Sequence, residues 1–310
     1  MTSVRKQSFL GSRWKLVKRD RYLLLMFLPI LAYYAVFHYL PMTGIVIAFK
    51  DFMPGHGIYF GKWVGFKWIS QFLNSPYAWR LVRNTLILSC WHILIGFPTP
   101  IFFAVCVCEI SHTRVKKTLQ TVSYLPHFIS TVVMVGMMKN FFSLNNGIVN
   151  VARAYFGLEQ ISFFQEPAWF RPLHVGSGVW QNFGWSSIIY ISAITGIDPE
   201  LYEAGDLDGI SRAGKARHIT VPMILPTIVI LLIMELGSLM SVGFEKVFLM
   251  YNSAVYETAD VISTYVYRKG ISEAETSFAS GVGLFNSVVN FLLVYVSNAV
   301  CKRLTGSSLW

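Results

Sequence analysis

The chain has 310 residues, of which 54% are hydrophobic and only 14% are charged, and its mean hydropathy is +0.50. A water-soluble domain of this size could not bury so much apolar surface, so the composition excludes a soluble globular protein and indicates a bilayer as the natural solvent. The net charge of +10 does not indicate nucleic-acid binding, because the basic residues cluster beside apolar runs and form no stripe interleaved with aromatic residues.

The first 21 residues are strongly basic and precede the first apolar run. Seven of the 26 lysines and arginines of the chain lie in this segment. A basic start before a long apolar stretch, with no small-residue cleavage site after it, predicts a retained signal anchor. We therefore expect residues 1–21 to be a basic cytoplasmic segment, because loops that stay inside carry the excess of lysine and arginine.

Apolar runs of about 20 residues, the length that crosses a bilayer as a helix, predict six transmembrane helices. Their expected ranges are 22–48, 84–108, 119–142, 175–194, 221–243 and 278–300. An even number of spans places both termini in the cytoplasm. The expected fold class is thus an all-α membrane protein, with a transmembrane domain over 22–300 and a cytoplasmic tail over 301–310.

The connections between the spans are of two kinds. Those at 109–118 and 195–220 carry clustered bases and are expected in the cytoplasm. The longer ones are expected outside, at 49–83, 143–174 and 244–277. Residues 67–83 have the pattern of an amphipathic helix, and the aromatic residues around it favour a position on the outer membrane interface.

The cytoplasmic segment between the fourth and fifth spans is unusually polar. Asp198 followed by Pro199 predicts the start of a helix, and Gly209 is expected to end it before a second helix begins near Ser211. A helix-turn-helix of this kind on the membrane surface forms a knob that a cleft in a soluble partner protein can hold. The small residues of the knob are expected to allow a partner's backbone to approach closely, at positions 204, 205, 209 and 213.

This loop resembles the coupling motif of permease subunits in ATP-binding-cassette (ABC) importers, which is Glu-Ala-Ala, three residues, Gly, nine residues, Ile-x-Leu-Pro. The residues that match it are Glu203, Ala204, Gly209, Ile219 and Pro222. Gly205 replaces the second alanine and Val221 replaces the leucine. Both exchanges should preserve docking, although a glycine is expected to weaken the helix by about 0.5–1 kcal/mol. The residues that the resemblance assigns to ATPase coupling are Glu203, Ala204, Gly205, Asp208, Gly209, Arg212 and Pro222.

The resemblance extends over nearly the whole chain and narrows to the carbohydrate-import branch, in particular to permeases for complex oligosaccharides and polysaccharide fragments. The segments that carry it are 84–86, 96–98, 123–130, 147–150, 180–185, 243–249 and 306–310. It implies a type I importer bundle in a bacterial cytoplasmic membrane, built with a second, homologous permease. It also implies two ABC ATPase subunits, an extracytoplasmic solute-binding protein and an oligosaccharide cargo. ATP and Mg²⁺ would bind to the ATPases, because this chain has no GxxxxGK[ST] phosphate loop, and it is expected to hold no cofactor and to catalyse nothing itself.

Polar and aromatic side chains inside the predicted spans are the candidates for a substrate path. They are Trp180, Gln181, Asn182, Trp185, Glu235, Phe285, Asn286 and Asn290. For each amide the competing interpretation is packing, since amides commonly bond across packed helices. Glu235 is a lone carboxylate in the fifth span, so we expect it either to line a wet cavity or to be paired or protonated.

No spacing of residues indicates a metal site or a disulfide. The four cysteines lack CxxC spacing and are expected to be small, buried and reduced, at positions 90, 106, 108 and 301. His92 and His127 stand alone on apolar runs, without an HExxH pattern. Two alternative functions stay open: the same architecture importing a peptide or a polyol, and a membrane-embedded transferase that uses Glu235 or His127.

Overall fold

The computed structural model describes residues 19–53, 55, 57–58 and 60–305. Most of the predicted basic segment 1–21 and the second half of the predicted tail 301–310 lie outside the described residues. The described chain is almost entirely helical. Its longer helices are α1 (Arg21–Phe49), α2 (Lys67–Leu73), α3 (Ala78–Cys108), α4 (Thr113–Phe128), α5 (Thr131–Phe141), α6 (Ile148–Tyr155), α7 (Pro167–Thr195), α8 (Pro199–Leu207), α9 (Arg212–Gly237), α10 (Phe244–Met250), α11 (Tyr256–Ala259), α12 (Ile262–Tyr267) and α13 (Thr276–Thr305). Two short strands, β1 (Lys50–Asp51) and β2 (Lys62–Trp63), pair antiparallel.

Four of the described helices are long and apolar enough to cross a membrane, namely α1, α3, α9 and α13. A fifth span results if α4 and α5 are counted as one broken helix. The helix α7 has 29 residues and overlaps the fourth predicted span. The all-helical, membrane-spanning class is therefore confirmed, while the number six and the cytoplasmic position of both termini stay predictions.

The third predicted span, 119–142, is not one continuous helix. The helix α4 ends at Phe128, α5 begins at Thr131, and the two are bent by 96°. Pro126 lies in the 3₁₀ turn that ends α4, where its missing N–H and fixed φ favour a tight turn over continued α-helix. Ser130 then caps α5 by accepting a hydrogen bond from the Val133 N–H.

The predicted amphipathic helix over 67–83 is wrong in its bounds. The chain forms α2 and then a break at 74–77 that contains Asn74, Ser75 and Pro76, a combination typical of turns. The second span therefore starts at Ala78 and not at residue 84. Within α3, the segment His92–Gly96 is a π-helical turn just before Pro98. The changed hydrogen-bond pattern of this turn accommodates the N–H that proline lacks.

Buried apolar side chains pack the helices in three clusters. One joins α3, α5, α7 and α10 around Phe170, the second joins α2, α3, α12 and α13 around Phe72, and the third joins α3, α7 and α9 around Tyr190. The central helix α7 approaches α4 so closely that a Cβ on Gly184 would lie 2.1 Å from the Ser123 carbonyl oxygen. By contrast, none of the most apolar window of α1 is buried in this chain.

Candidate substrate cavity and candidate coupling loop

The segment 198–222 folds as the helix-turn-helix that its sequence predicts. The Asp198 carboxylate caps α8 by accepting a hydrogen bond from the Glu200 N–H at 3.0 Å. Gly209 ends the first helix in the left-handed region, with φ of +70°, where a residue without Cβ is not strained. The Ser211 hydroxyl caps α9 by accepting a hydrogen bond from the Gly214 N–H at 3.2 Å.

Contacts between its two helices brace this loop. The Lys215 ammonium lies 2.7 Å from a carboxylate oxygen of Asp206, and the Tyr202 and Thr220 hydroxyls are 3.0 Å apart. Gly205 is buried between the helices, and a Cβ there would lie 3.1 Å from Cδ1 of Ile219. The glycine therefore permits close packing within the loop, and the expectation that it contacts a partner directly is wrong for this chain.

The other residues assigned to ATPase coupling are exposed. They are Glu203, Ala204, Asp208, Gly209, Arg212 and Pro222. Leu207, at the tip of α8, is 90% exposed. This leucine, at the tip of a braced loop, is accessible to another protein.

Three of the predicted path residues, Gln181, Asn182 and Glu235, line a cavity of about 300 Å³. Its walls come from α3, α7, α9 and α10, together with the first residue of α5 and the segment 238–243. The polar groups that line it are Ser89, His92, Thr131, His174, Gln181, Asn182, Glu235, Ser238, Ser241 and Lys246. A wall of amides, hydroxyls and charges inside a membrane protein is suited to a hydrophilic ligand.

Gln181 and Asn182 of α7 both line the cavity and make packing hydrogen bonds, which are the two roles that the sequence leaves open. Gln181 donates a hydrogen bond from Nε2 to the Ile129 carbonyl oxygen at 2.7 Å. Asn182 donates to the Gly178 carbonyl at 3.0 Å, and its Oδ1 lies 3.0 Å from Nδ1 of His127. Each amide thus holds neighbouring backbone or side chains while also lining the cavity.

Glu235 lines the cavity and is also paired. Its Oε1 lies 3.2 Å from Nε2 of His92, one helix away. His127 is likewise not isolated, because its ring stacks on Trp185 with centroids 4.6 Å apart and planes 4° apart. Both histidines stand alone on apolar runs of the sequence, and the fold supplies partners for them that are distant along the chain.

Five of the predicted path residues lie outside this cavity. Trp180 faces a groove lined by methionines and Phe141, and Trp185 lies with Glu235 in a neighbouring cavity of about 470 Å³. Trp180 therefore lies on a different face of α7 from Gln181 and Asn182, which line the central cavity.

The three candidates on α13 also lie elsewhere. Phe285 packs against Phe72 in the core, with ring centroids 5.8 Å apart. Asn286 lines a separate groove between α10, α12 and α13. Asn290 accepts a hydrogen bond from the Met240 N–H at 2.9 Å and donates to the Ser241 hydroxyl at 2.8 Å, so it ties α13 to the segment 238–243 that follows α9.

Lys246 and His174 are among the cavity residues that the sequence analysis does not single out. Lys246 of α10 donates a hydrogen bond from Nζ to the His174 carbonyl oxygen at 2.6 Å. Lys246 lies outside the predicted spans, and burial lowers the pKa of its ammonium to about 7. The only sequence signal for it is a lysine within the apolar run 244–250. Its convergence with His174, 72 residues away, depends on the fold.

No disulfide links the cysteines within the described residues. Cys90 and Cys106 are exposed on this chain, so the expectation that all four are buried is wrong for these two. In the same part of the chain no group of three or more His, Cys, Asp or Glu side chains is arranged to hold a metal ion.

Residues 96–305 match the model of the family described as the inner membrane component of binding-protein-dependent transport systems, and the chain belongs to this family. The match covers the coupling loop and most of the cavity wall. The chain is thus a carbohydrate-import permease of the ABC transporter class. This finding leaves the membrane-embedded transferase without support.

Two relatives from Bacillus subtilis (strain 168) are similar along most of their length. The chain is 40% identical to protein LplB over 95% of this chain and 92% of that protein. It is also 40% identical to the polygalacturonan/rhamnogalacturonan transport system permease protein YteP, over 92% of this chain and 89% of that protein. Among solved structures, a chain of a bacterial alginate ABC transporter in complex with an alginate pentasaccharide-bound periplasmic protein matches with a TM-score of 0.88 and 39% identity, over 96% of this chain and 99% of that chain.

Proposed function

We propose that this chain is one of two homologous permeases that together form the path of an ATP-driven oligosaccharide importer. The chain crosses the cytoplasmic membrane of a bacterium six times, and both of its termini lie in the cytoplasm. A solute-binding protein delivers the cargo from outside, and two partner ATPases bind ATP and Mg²⁺. The loop 198–222 couples closure of an ATPase to the switch between inward-facing and outward-facing states.

The coupling proposal rests on one observation. The loop 198–222 forms an exposed knob whose two helices are packed against each other. Internal contacts of Gly205 and Lys215 hold its two helices together, while Glu203 and Leu207 are exposed. A knob that moves as one body transmits a displacement to α9, which continues without interruption from this loop into the bundle. A flexible loop would absorb the same displacement.

An oligosaccharide is favoured over a peptide or a polyol as the cargo. YteP is named for polygalacturonan and rhamnogalacturonan transport, and the matching solved transporter imports alginate. The cavity supports this choice, because Gln181, Asn182 and the serines near them offer both donors and acceptors to sugar hydroxyls.

The first test is isolation of the tagged chain from its native membrane in mild detergent. We expect a second permease and an ATPase to co-purify in stoichiometric amounts, with ATP hydrolysis that a loaded solute-binding protein stimulates. If the chain is isolated alone and no ATPase activity accompanies it, the importer assembly is refuted.

Charge reversal tests the coupling surface. Glu203→Lys should abolish uptake while the protein stays folded in the membrane, because the exposed acid on the knob would meet the ATPase. The matched control is Glu159→Lys, which reverses an exposed acid in the connection 143–174. Equal uptake by Glu203→Lys and the control would remove the coupling assignment.

A second pair of variants tests the knob's backbone. Gly209 and Gly157 have nearly the same φ, +70° and +71°, which proline cannot adopt. Gly209→Pro should abolish transport, and Gly157→Pro should impose comparable local strain while leaving coupling intact. Loss of transport in both variants, or in neither, would contradict a specific role of this turn.

A further inference from the structure

In the part of the chain that the structure describes, the Lys246 ammonium lines the cavity without an acid in ion-pairing distance. None of the ion pairs among the described residues includes Lys246. Its one hydrogen-bond acceptor is the neutral carbonyl oxygen of His174. Its neighbour in sequence, Glu245, is exposed. Buried charges in proteins are normally paired, so a half-buried ammonium with only a carbonyl partner needs an explanation.

The other charged groups of the cavity do not supply the missing anion. Glu235 is engaged with His92, at 3.2 Å. The remaining polar lining residues are amides, hydroxyls and histidines. Among the described residues, no carboxylate therefore lies within ion-pairing distance of the Lys246 ammonium.

Gly178 of α7 leaves space for the Lys246 ammonium. A Cβ on Gly178 would lie 3.0 Å from the Lys246 Nζ, so the absence of a side chain at that position lets the ammonium approach α7. Together with the hydrogen bond to His174, this contact holds Nζ at a defined point of the wall.

A second polar group at the same wall is unsatisfied. Both ring nitrogens of His174 are shielded from solvent and have no hydrogen-bond partner among the described residues. Buried polar atoms without partners are rare in native proteins and commonly mark a place where a ligand or water binds. Lys246 thus provides the cation on this side of the cavity, with the shielded imidazole of His174 behind it.

We propose that Lys246, with His174 beside it, forms a subsite for a carboxylate of the cargo, so that this permease selects oligosaccharides that contain uronic acid residues. This inference rests on the proposed import function and adds the charge of the cargo to it. The carboxylate pairs with the ammonium, while Gln181, Asn182 and the nearby serines hydrogen-bond with the neutral hydroxyls of the same sugar chain.

The test uses the whole importer, with both permeases, the ATPases and the solute-binding protein, reconstituted in proteoliposomes. Uptake is measured for trigalacturonate and trimannuronate, for the methyl ester of trigalacturonate, and for neutral maltotriose. The variants are Lys246→Gln and Lys246→Arg, with Lys139→Gln as the control at an exposed lysine. Variant and wild type receive cargo from the same binding protein, so its own selectivity cancels in the comparison.

We expect Lys246→Gln to lower kcat/KM for a uronate by about 30-fold or more, because an anion would lose its charged partner in a partly buried site. Uptake of the uncharged ester or of maltotriose, where the wild type imports either, should fall much less than uptake of the uronates. Lys246→Arg should recover most of the uronate uptake, and Lys139→Gln should resemble the wild type.

Three results would overturn the carboxylate subsite. These are uronate uptake that Lys246→Gln does not lower, an equal loss for charged and neutral sugars, and a wild type that imports a neutral trisaccharide but neither uronate. The last result would leave the proposed importer function intact. If no sugar is imported and the binding protein does not stimulate ATP hydrolysis, the proposed function fails together with the inference that rests on it.

Discussion

Truncation of Leu207 tests whether the knob binds the ATPase that we propose as its partner. This side chain is 90% exposed at the end of α8, and none of the three buried clusters includes it. Leu207→Ala should therefore leave the permease folded, and alanine is the more favourable residue in a helix. Any loss of assembly in this variant reports on a contact with another subunit.

The size of the effect follows from the area that a partner can cover. Complete burial of a leucine side chain contributes about 1.5–3 kcal/mol, and truncation to alanine removes most of that apolar surface. With nearly the whole side chain available for burial, we expect a loss of about 2 kcal/mol in binding free energy. This loss corresponds to an increase in Kd of about 30-fold.

The assay is equilibrium binding of the purified ATPase to the permease pair in nanodiscs, with Leu158→Ala as the control. Leu158 is 52% exposed and lies in the connection 143–174, which we place on the opposite side of the membrane. The control should bind ATPase as the wild type does. If Leu207→Ala also binds with unchanged affinity, the tip of α8 is not buried by the ATPase and the docking geometry is incorrect.

Three further predictions concern the coupling loop, the central cavity, and the ion pairs of Asp260 with Arg80 and Arg268. Gly205→Val should reduce ATP-coupled uptake, because its side chain would collide with Ile219 in the braced loop; normal uptake would show that the brace is dispensable. Gln181→Leu should raise KM for the cargo or lower kcat, whereas Trp180→Ala, which faces the methionine-lined groove, should leave both unchanged in the same uptake assay; the reverse order would place the path on the other face of α7. Asp260 is fully buried and paired with two arginines, so Asp260→Asn should destabilise the permease by about 2–3 kcal/mol and lower the thermal unfolding temperature of the purified complex; an unchanged temperature would mean that the network adds no stability.

Local features of this chain were predictable because their causes lie within a few residues of sequence. Caps and turns are of this kind. Asp198, Gly209 and Ser211 occupy their expected positions in the coupling loop, since each acts on backbone groups at most a turn away. The bend between α4 and α5 shows the limit of such reasoning. Pro126 was evident in the sequence, but the 96° change of direction depends on what the two helices pack against.

The roles of polar residues inside the bundle were predictable only in part. Gln181 and Glu235 do line the central cavity, whereas Trp180 lies on another face of the same helix and Asn290 is used to join two helices. The sequence contains the polarity of each side chain but not the rotation of its helix relative to the others. That rotation decides whether an amide faces a cavity or a neighbouring backbone.

The sequence by itself determined the bilayer as solvent, the helical class and the form of the coupling loop, because apolar run length and local hydrogen-bonding rules suffice for these. Only the tertiary structure decided that Gly205 packs against Ile219 and that Glu235 pairs with His92. The same holds for the hydrogen bond from Lys246 to the His174 carbonyl oxygen of α7. Each of these contacts joins residues on different helices. Their geometry arises from how the helices pack together, which no short stretch of sequence contains.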